Sequence, residues 1–214
     1  MKKIVTLSAL CLLASCGNAP KTDETAAETT LPTTADTTTP PVQWNGYTKV
    51  KAMDIERNAV ALVAKDWMLI TAGNEVSFNT MTASWGALGE LWAKPVFMCF
   101  VRESRYTHQF MQDNDYYTLC FFDEAYRDKL QLLGSKSGRD TDKIKESGLT
   151  PVATPLGSMA FAEARMIIEC KKLYSAPFDP ANFHDAGLFS SIYTGHETSM
   201  HTQFIGQTVN VWVK

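Results

Sequence analysis

The order of apolar and polar residues from position 54 onward predicts many short strands and few helices. Apolar residues without alternation between Asp54 and Asp66 indicate a short helix, which leads into a strand at Trp67–Thr71. Gly73-Asn74 then marks a turn. Three later runs are short, rich in β-branched and aromatic residues and bounded by turn residues, which is typical of strands. They lie at Ser77–Trp85, Pro95–Val101 and Tyr116–Phe122.

The clearest alternation of period two lies between Ala160 and Lys171. Small or apolar residues at every second position interleave with mostly charged ones, which predicts a half-buried antiparallel strand. The apolar members are Ala160, Ala162, Ala164, Met166, Ile168 and Cys170. A last strand is predicted at about Gln203–Val213, and two helices at roughly Arg105–Gln112 and Glu124–Leu133. We therefore expect a mainly β fold with a few helices, in a closed or nearly closed barrel.

The first sixteen residues have the pattern of an export signal. Two lysines precede an apolar run at Ile4–Leu13, and small residues then lead to Cys16. The run is shorter than the about 20 apolar residues that a transmembrane helix needs. The segment resembles a bacterial lipoprotein signal, in which the thiol of Cys16 carries a diacylglycerol and becomes the mature N-terminus. The alternative is an ordinary cleaved signal whose cysteine is incidental.

Composition divides the rest of the chain at about residue 44. Residues 17–43 are dominated by Thr, Pro, Ala and acidic residues. Such a segment buries too little apolar surface to offset the conformational entropy that ordering would cost, so we expect a disordered spacer. Residues 44–214 contain all 5 tryptophans and all 11 phenylalanines and predict one globular domain. With a lipid on Cys16, this order predicts a protein of the bacterial cell envelope that faces the periplasm or the cell exterior.

Charge and cysteine content narrow the classes of function. The chain has 20 Lys and Arg against 23 Asp and Glu, so no basic stripe points to nucleic acid. Cys99, Cys120 and Cys170 lie in apolar runs without a CxxC pair, which favours small buried side chains over a zinc site or a disulfide framework. One disulfide stays open as an alternative in an oxidising compartment. No metal is expected.

A concentration of short polar side chains marks the segment from residue 79 to 84. Hydroxyl and amide groups stand there among strand and turn signals, and such groups suit the rim of a flat polar ring or a phosphate. The candidate binding residues are Asn79, Thr80, Met81, Thr82, Ala83 and Ser84. A threonine-rich edge strand without a ligand is the alternative, because threonine is a good strand former.

A second candidate segment follows at residues 102–107, where a strand ends and a helix is predicted to begin. Free backbone N–H groups at a helix start, together with the planar forks of Arg102 and Arg105, suit phosphate oxygens. Ser104 is the predicted N-cap. The candidates are Arg102, Ser104, Arg105, Tyr106 and Thr107. Solvated surface arginines are the alternative.

These two segments and their neighbours resemble the flavin reductase family, the FMN-binding split barrels that include flavoredoxin-like proteins. The resemblance begins at Trp67–Gly73 and continues through Asn79–Gly86, Trp92–Val96 and Val101–Thr107. It is weaker at Ser137–Lys143 and at His201–Gly206. Each segment alone is moderately specific for this family, and their order and spacing together are strong evidence for the resemblance.

The resemblance implies a Greek-key split β-barrel that forms a homodimer and holds FMN noncovalently near the subunit interface, with FAD as the less favoured cofactor. Residues Asn79–Ser84 would then lie along the flavin ring and ribityl chain, and Arg102–Thr107 would hold the phosphate. The loop that ends at Lys143 would approach the flavin or the neighbouring subunit. The alternative for that loop is a solvated turn.

The resemblance also implies a function, with His201 as the candidate catalytic residue because it matches a histidine that opens the last strand in many relatives. A structural histidine is the alternative. The leading hypothesis is a flavin-dependent oxidoreductase with an unknown electron donor and acceptor. The alternatives are a flavin carrier without turnover and a barrel that has lost its flavin. Because an exported domain meets little cytosolic NAD(P)H, we expect a membrane-associated or periplasmic electron carrier as its partner.

Overall fold

The computed structural model describes residues 42–214, which form a mainly β domain with short helices. The predicted signal segment, its lipid site at Cys16 and the predicted spacer as far as residue 41 lie outside the described residues. The strands are β1 Gln43–Trp44, β2 Tyr47–Val50, β3 Met68–Gly73, β4 Phe78–Ala83, β5 Gly86–Leu91, β6 Lys94–Arg102, β7 Tyr116–Phe121, β8 Pro151–Ala153, β9 Met159–Phe161, β10 Met166–Pro177 and β11 His201–Val213.

The helices are short and lie between the strands. They are α1 Ala59–Ala61, which continues as a π-helical turn at Leu62–Asp66, α2 Thr107–Asp113, α3 Arg127–Ser135, α4 Lys143–Ser147 and α5 Ala186–Tyr193. Single 3₁₀ turns occur at Ala52–Asp54, Glu124–Tyr126 and Pro180–Asn182. No helix among residues 42–214 has the length and hydropathy needed to cross a bilayer.

The sheet is a curled antiparallel half-barrel built around β11. This strand pairs with β10 along nearly its whole length, and on its other side with β6 and then β2. From β11 the sheet continues through β10, β7, β3 and β4 in one direction and through β6 and β5 in the other. Strands β4 and β5 thus stand at opposite ends of this order, yet only Ser84 and Trp85 separate them in the chain. The sheet therefore curls, which confirms the predicted split-barrel class.

Both faces of the central strands are buried. Inside the curl, Ile70, Leu119 and Ile168 pack with Phe97 and Phe204. The neighbouring residues on the same strands face outward into a second apolar cluster, which α3 and β9 complete. Its members include Leu69, Cys120, Ile167, Trp212, Leu130, Leu133 and Phe161. Strands covered on two sides give nearly continuous apolar runs rather than alternation.

The prediction of one half-buried strand from Ala160 to Cys170 is wrong. The chain turns between Phe161 and Met166, and β10 then runs on as far as Pro177. Every residue from Met166 to Cys170 is buried. The charged member of this run, Glu169, is fully buried and accepts hydrogen bonds from the side chains of Thr154 and Asn210 rather than from water. A polar residue with internal partners therefore produced a false alternation.

Most other predicted elements agree with the structure within a few residues. Strands β1, β2, β5 and β8 and helices α4 and α5 were not predicted from the sequence. The three domain cysteines, Cys99, Cys120 and Cys170, are buried and carry free thiols. Within residues 42–214, no three His, Cys, Asp or Glu side chains gather as a metal site requires. The predicted homodimer stays a prediction.

Candidate functional site

The larger of two adjoining cavities lies where the chain passes from β4 to β5. Its volume is about 350 Å³. The ends of β6 and β11 form its other walls. The lining residues are Met81, Thr82, Ala83, Ser84, Trp85, Phe100, Arg102, Ser104, Arg105 and His201. The cavity therefore lies beside Ser84 and Trp85, which connect β4 to β5, the strands at the two ends of the sheet.

The smaller cavity adjoins the larger one, because Ser104 and Arg105 line both. Its volume is about 140 Å³. The turn before α2 and the loop after α3 enclose it. The lining residues are Asn79, Ser104, Arg105, Tyr106, Thr107, Ser135, Lys136, Ser137 and Lys143. Hydroxyl, amide and cationic groups dominate this list, and no acidic residue is part of it.

Aromatic rings form part of the wall of the larger cavity. The ring of Trp85 is half exposed and lies 5.2 Å from the ring of His201, centroid to centroid. Phe100 lies on the wall with its ring 5.4 Å from that of Phe178. The hydroxyl of Ser84 lies among these apolar surfaces, whereas that of Thr82 donates to the carbonyl of Leu130. Such a mixture of flat apolar walls and few polar groups is typical of small-molecule sites.

His201 is an uncharged residue of this cavity at neutral pH. Burial lowers the pKa of its imidazole to about 4, and the nearby positive charge of Arg102 acts in the same direction. Its Nδ1 atom lies 2.9 Å from the hydroxyl of Tyr193. The structure thus places the candidate histidine on the cavity wall, in the neutral form.

Two cations of the smaller cavity are held by the end of α3. Arg105 donates to the carbonyl of Gly134 at 2.9 Å. Lys143 donates to the carbonyls of Leu133 at 3.0 Å and of Lys136 at 3.1 Å. The last carbonyls of a helix lack partners within the helix and carry partial negative charge, so they favour cations there. This arrangement orders both side chains and leaves them on the cavity wall.

The charge of these two cations is not balanced by an acidic neighbour on the cavity wall. Burial lowers the pKa of Lys143 to about 8, and the positive charge of Arg105 adds to this effect. Burial also lowers the pKa of Arg105, to which Arg102 contributes. Neither Arg105 nor Lys143 forms an ion pair with any residue in the part of the chain that the structure describes. A buried and a half-buried cation that form no ion pair favour an anionic ligand.

Asn79 joins the sheet to the turn before α2. Its Nδ2 donates to the hydroxyl of Thr107 at 2.8 Å. On its other side Gly138 approaches so closely that a Cβ atom there would lie 2.3 Å from Oδ1 of Asn79. Only glycine therefore fits at position 138 without displacing Asn79. The loop from Ser137 to Lys143 thus packs directly against β4.

The structure brings most of the predicted site residues together around the two cavities. Met81, Thr82, Ala83, Ser84, Arg102 and His201 line the larger one, and Asn79, Tyr106, Thr107 and Lys143 line the smaller one. Arg102 lines only the larger cavity, but its charge acts on Arg105, which lines both. Thr80 lines neither cavity, because its hydroxyl lies within the sheet, 2.8 Å from that of Thr71.

The prediction that Ser104 caps a helix is wrong. Helix α2 begins at Thr107, its N-cap is Tyr106, and no side chain caps it. The backbone of Ser104 is used instead: its N–H donates to the hydroxyl of Ser199 and its carbonyl accepts from Arg139. Residues 103–106 therefore form a separate turn that connects the two cavities, and not the first turn of a helix.

Sequence reasoning missed several residues of the site. Trp85 directly follows the candidate segment and could have been included on that ground. Phe100 belongs to an ordinary apolar strand run, and Tyr193 to a helix that was not predicted, so neither gave a signal. Ser135 is the last residue of α3, and Lys136 and Ser137 come from the loop after it, whose approach to β4 depends on Gly138.

Comparisons with known proteins agree with this architecture. The family model described as "Flavin reductase like domain" matches residues 60–214. The flavoredoxin of Desulfovibrio vulgaris (Miyazaki F) is 23% identical, with 77% of each chain covered and a TM-score of 0.55. An FMN-binding domain of a flavin reductases-like enzyme from Shewanella baltica is 16% identical, with 78% of this chain and 76% of that chain covered and a TM-score of 0.57.

A third solved structure is similar to the same extent. The FMN-binding protein from Thermus thermophilus, with bound 1-cyclohex-2-enone, is 22% identical, with 69% of each chain covered and a TM-score of 0.53. At these identities the likeness to solved structures shows the fold. No curated protein matches the chain in sequence.

Proposed function

The chain belongs to the flavin reductase-like domain family, and from that premise we propose that it is an FMN-binding redox protein. The flavin ring is assigned to the larger cavity and the phosphate to the smaller one. The observation that carries this assignment is the pair of cations, the buried Lys143 and the half-buried Arg105, in a hydroxyl-lined cavity whose wall includes no acidic residue. The similar structures are an FMN-binding protein, an FMN-binding domain and a flavoredoxin, which supports the choice of FMN over FAD.

The smaller cavity fits a phosphate by its chemistry. Arg105 presents a planar fork and Lys143 a compact ammonium group, and both kinds of cation bind phosphate oxygens. The hydroxyls of Thr107 and Ser137 add uncharged donors of short reach. Burial strengthens these interactions, because the attraction between opposite charges grows as the dielectric constant falls.

The larger cavity fits a flat ring with a polar rim. Its volume of about 350 Å³ lies within the range of about 300–1,000 Å³ that small-molecule sites occupy. Trp85 and Phe100 supply apolar walls, and Ser84 and His201 supply polar atoms. When bound, FMN supplies the centre that accepts and releases electrons, while this chain positions it and limits its contact with water.

The direct test uses the purified protein. We expect a yellow protein whose extracted chromophore is FMN, and reduction of that chromophore by a chemical donor under anaerobic conditions. Reoxidation by added acceptors then separates a redox protein from a carrier, because a carrier turns over none of them. A colourless protein that also fails to bind added FMN in a fluorescence titration would reject the proposal.

The affinity for FMN is expected to fall as the pH rises through about 8, because Lys143 loses its proton there. Its ammonium form prevails below that pKa and attracts the phosphate, whereas its neutral form above it does not. One linked proton limits the change to about tenfold per pH unit. Fluorescence titrations at pH values from 6 to 10 measure it.

Two controls make this pH prediction specific. Lys143→Met should bind FMN more weakly below pH 8 and should lose the pH dependence. Riboflavin, which lacks the phosphate, should show no such dependence with the unaltered protein. An identical pH profile in Lys143→Met would remove Lys143 from the phosphate site.

We also propose that Cys16 anchors the protein to a membrane of the cell envelope. The proposal rests on the signal-like sequence that ends at this residue. Cys16→Ala should prevent lipidation and move the protein from the membrane fraction to the soluble fraction. Cys11→Ala, which alters the apolar run but leaves Cys16 intact, is the matched control. A Cys16→Ala protein that stays with the membrane after a high-salt wash would contradict the proposal.

A further inference from the structure

His201 is fixed by both its backbone and its ring. As the first residue of β11 it pairs with Arg102 of β6, and its carbonyl accepts from the N–H of Phe178 at 2.9 Å. Its Nδ1 contacts the hydroxyl of Tyr193 at 2.9 Å, and the two rings meet edge to face with centroids 5.7 Å apart. Tyr193 is the last residue of α5, so this helix contacts a wall residue of the cavity through one phenol.

The hydrogen bond between these residues has a preferred direction. Tyr193 is 2% exposed, and burial raises the pKa of its phenol, so the hydroxyl keeps its proton at neutral pH. Within the described residues, Nδ1 of His201 is the acceptor that this proton reaches. The opposite direction would leave a buried hydroxyl proton without an acceptor, which costs free energy. Tyr193 therefore donates, and Nδ1 carries no proton.

The tautomer of His201 follows from this direction. A neutral imidazole has one N–H, and with Nδ1 as an acceptor the proton is on Nε2. Nε2 has no hydrogen-bond partner among the described residues, and it is not one of the fully enclosed polar atoms. Because His201 lines the larger cavity, this N–H is open to a molecule bound there.

We infer that Tyr193 is a positioning residue, which holds His201 in the Nε2–H form so that the larger cavity presents an uncharged N–H donor to a carbonyl oxygen or ring nitrogen of its ligand. The identity of the ligand rests on the proposed function: the acceptor belongs either to the flavin ring or to the molecule that exchanges electrons with it. The tautomer itself does not rest on that function.

Burial, and next the positive charge of Arg102, lowers the pKa of His201 and keeps this donor uncharged at neutral pH. The charged group that acts on the imidazole is Arg102, whose guanidinium lies 5.7 Å from the ring of Tyr193. Helix α5, with the sequence AGLFSSIY, carries no charged residue. The neighbouring wall residues Ser84, Trp85 and Phe100 are uncharged as well. A cation in the position of His201 would stand beside Arg102 without an anion, so the site donates a hydrogen bond without adding charge.

The first test reads the tautomer directly, in the ligand-free protein. Long-range ¹H–¹⁵N NMR spectra distinguish a protonated from an unprotonated ring nitrogen. We expect the His201 signals to show Nε2–H and a hydrogen-bonded, unprotonated Nδ1. In Tyr193→Phe the Nδ1 signal should move to the position of an acceptor without a donor, and Tyr117→Phe, which removes a buried phenol elsewhere, should leave it unchanged.

Either of two results in this experiment would overturn the inference. One is a protonated Nδ1 in the unaltered protein. The other is an unchanged Nδ1 signal in Tyr193→Phe whose circular dichroism spectrum and melting transition show it to be folded. Neither result depends on flavin binding, so the failure of this inference is distinguishable from the failure of the proposed function.

The second test locates the acceptor. Removing one hydrogen bond changes affinity by about two- to tenfold. If the acceptor is on the flavin, Tyr193→Phe and His201→Phe should lower the affinity for FMN by that factor, and the affinity for riboflavin by the same factor. If it is on the second molecule, FMN affinity should stay unchanged while KM for that molecule rises by a similar factor. Unchanged values of both in His201→Phe would overturn the claim that this N–H serves a ligand.

Discussion

Arg105→Gln is expected to lower the affinity for FMN by about ten- to a hundredfold and to leave the affinity for riboflavin nearly unchanged. A hydrogen bond to a charged group is worth about 1.5–3 kcal/mol, and this range converts to that factor. Arg105 is one of two residues that line both cavities, and Gly134 holds its guanidinium in place. Fluorescence quenching titrations with the two flavins measure the difference.

Arg102→Gln is the matched control for this prediction. Arg102 lines only the larger cavity, so its loss should change the affinities for FMN and riboflavin by the same factor. The prediction for Arg105 is contradicted if Arg105→Gln lowers the affinities for FMN and riboflavin by the same factor. Selective loss of FMN binding in Arg102→Gln would instead show that Arg102 contacts the phosphate, as the sequence alone predicted.

Gly206→Ala is expected to destabilise the fold by about 1–3 kcal/mol or more, which is the usual cost of an overpacked core. Gly206 lies in β11, where a Cβ atom would stand 2.3 Å from Oη of Tyr117 and 2.9 Å from Cβ of Cys170. Tyr117 is 1% exposed and Cys170 is fully buried, so neither has room to move. Urea denaturation followed by circular dichroism measures the free energy of unfolding.

Two further variants identify the cause of this loss. Gly89→Ala places the same methyl group in strand β5, where apart from its chain neighbours it meets no atom of residues 42–214 within 4 Å, and should change the stability little. In the double variant Gly206→Ala, Tyr117→Phe, the oxygen that clashes is absent, so part of the loss should be recovered. Additive effects of the two substitutions would show that the contact with Tyr117 is not the cause.

The sequence was informative about strands and about the segments that carry polar groups. The cluster from Asn79 to Ser84 and the turn from Arg102 to Thr107 could be located because short polar side chains are unusual between strand signals. The sequence did not show which single residues of these two segments line a cavity. Thr80 and Thr82 occupy the same face of β4, yet Thr80 lies opposite Thr71 in the β3–β4 pair and is used there.

The remainder of the site depends on contacts between distant parts of the chain. Tyr193 contacts His201 because α5, which lies between β10 and β11 in the chain, packs at the start of β11. This short helix was not predicted from the sequence. The place of Arg105 in the smaller cavity depends on the end of α3, about 30 residues away. Glu169 appeared to mark a solvent face because the sequence shows a charge but not its internal partners.

The long strand β11 also joins the N-terminal β1–β2 hairpin to the strands that form the cavities. A pull applied through the residues before Gln43 enters the fold at the β1–β2 hairpin, whose attachment to β11 is the pairing of Thr48, Lys49 and Val50 with Val213, Trp212 and Val211. His201 stands at the other end of β11, ten residues from Val211 or about 33 Å at 3.3 Å per residue. Under load the hairpin should peel away first, and the cavities would keep their shape until the pairing of β11 with β10 and β6 begins to fail.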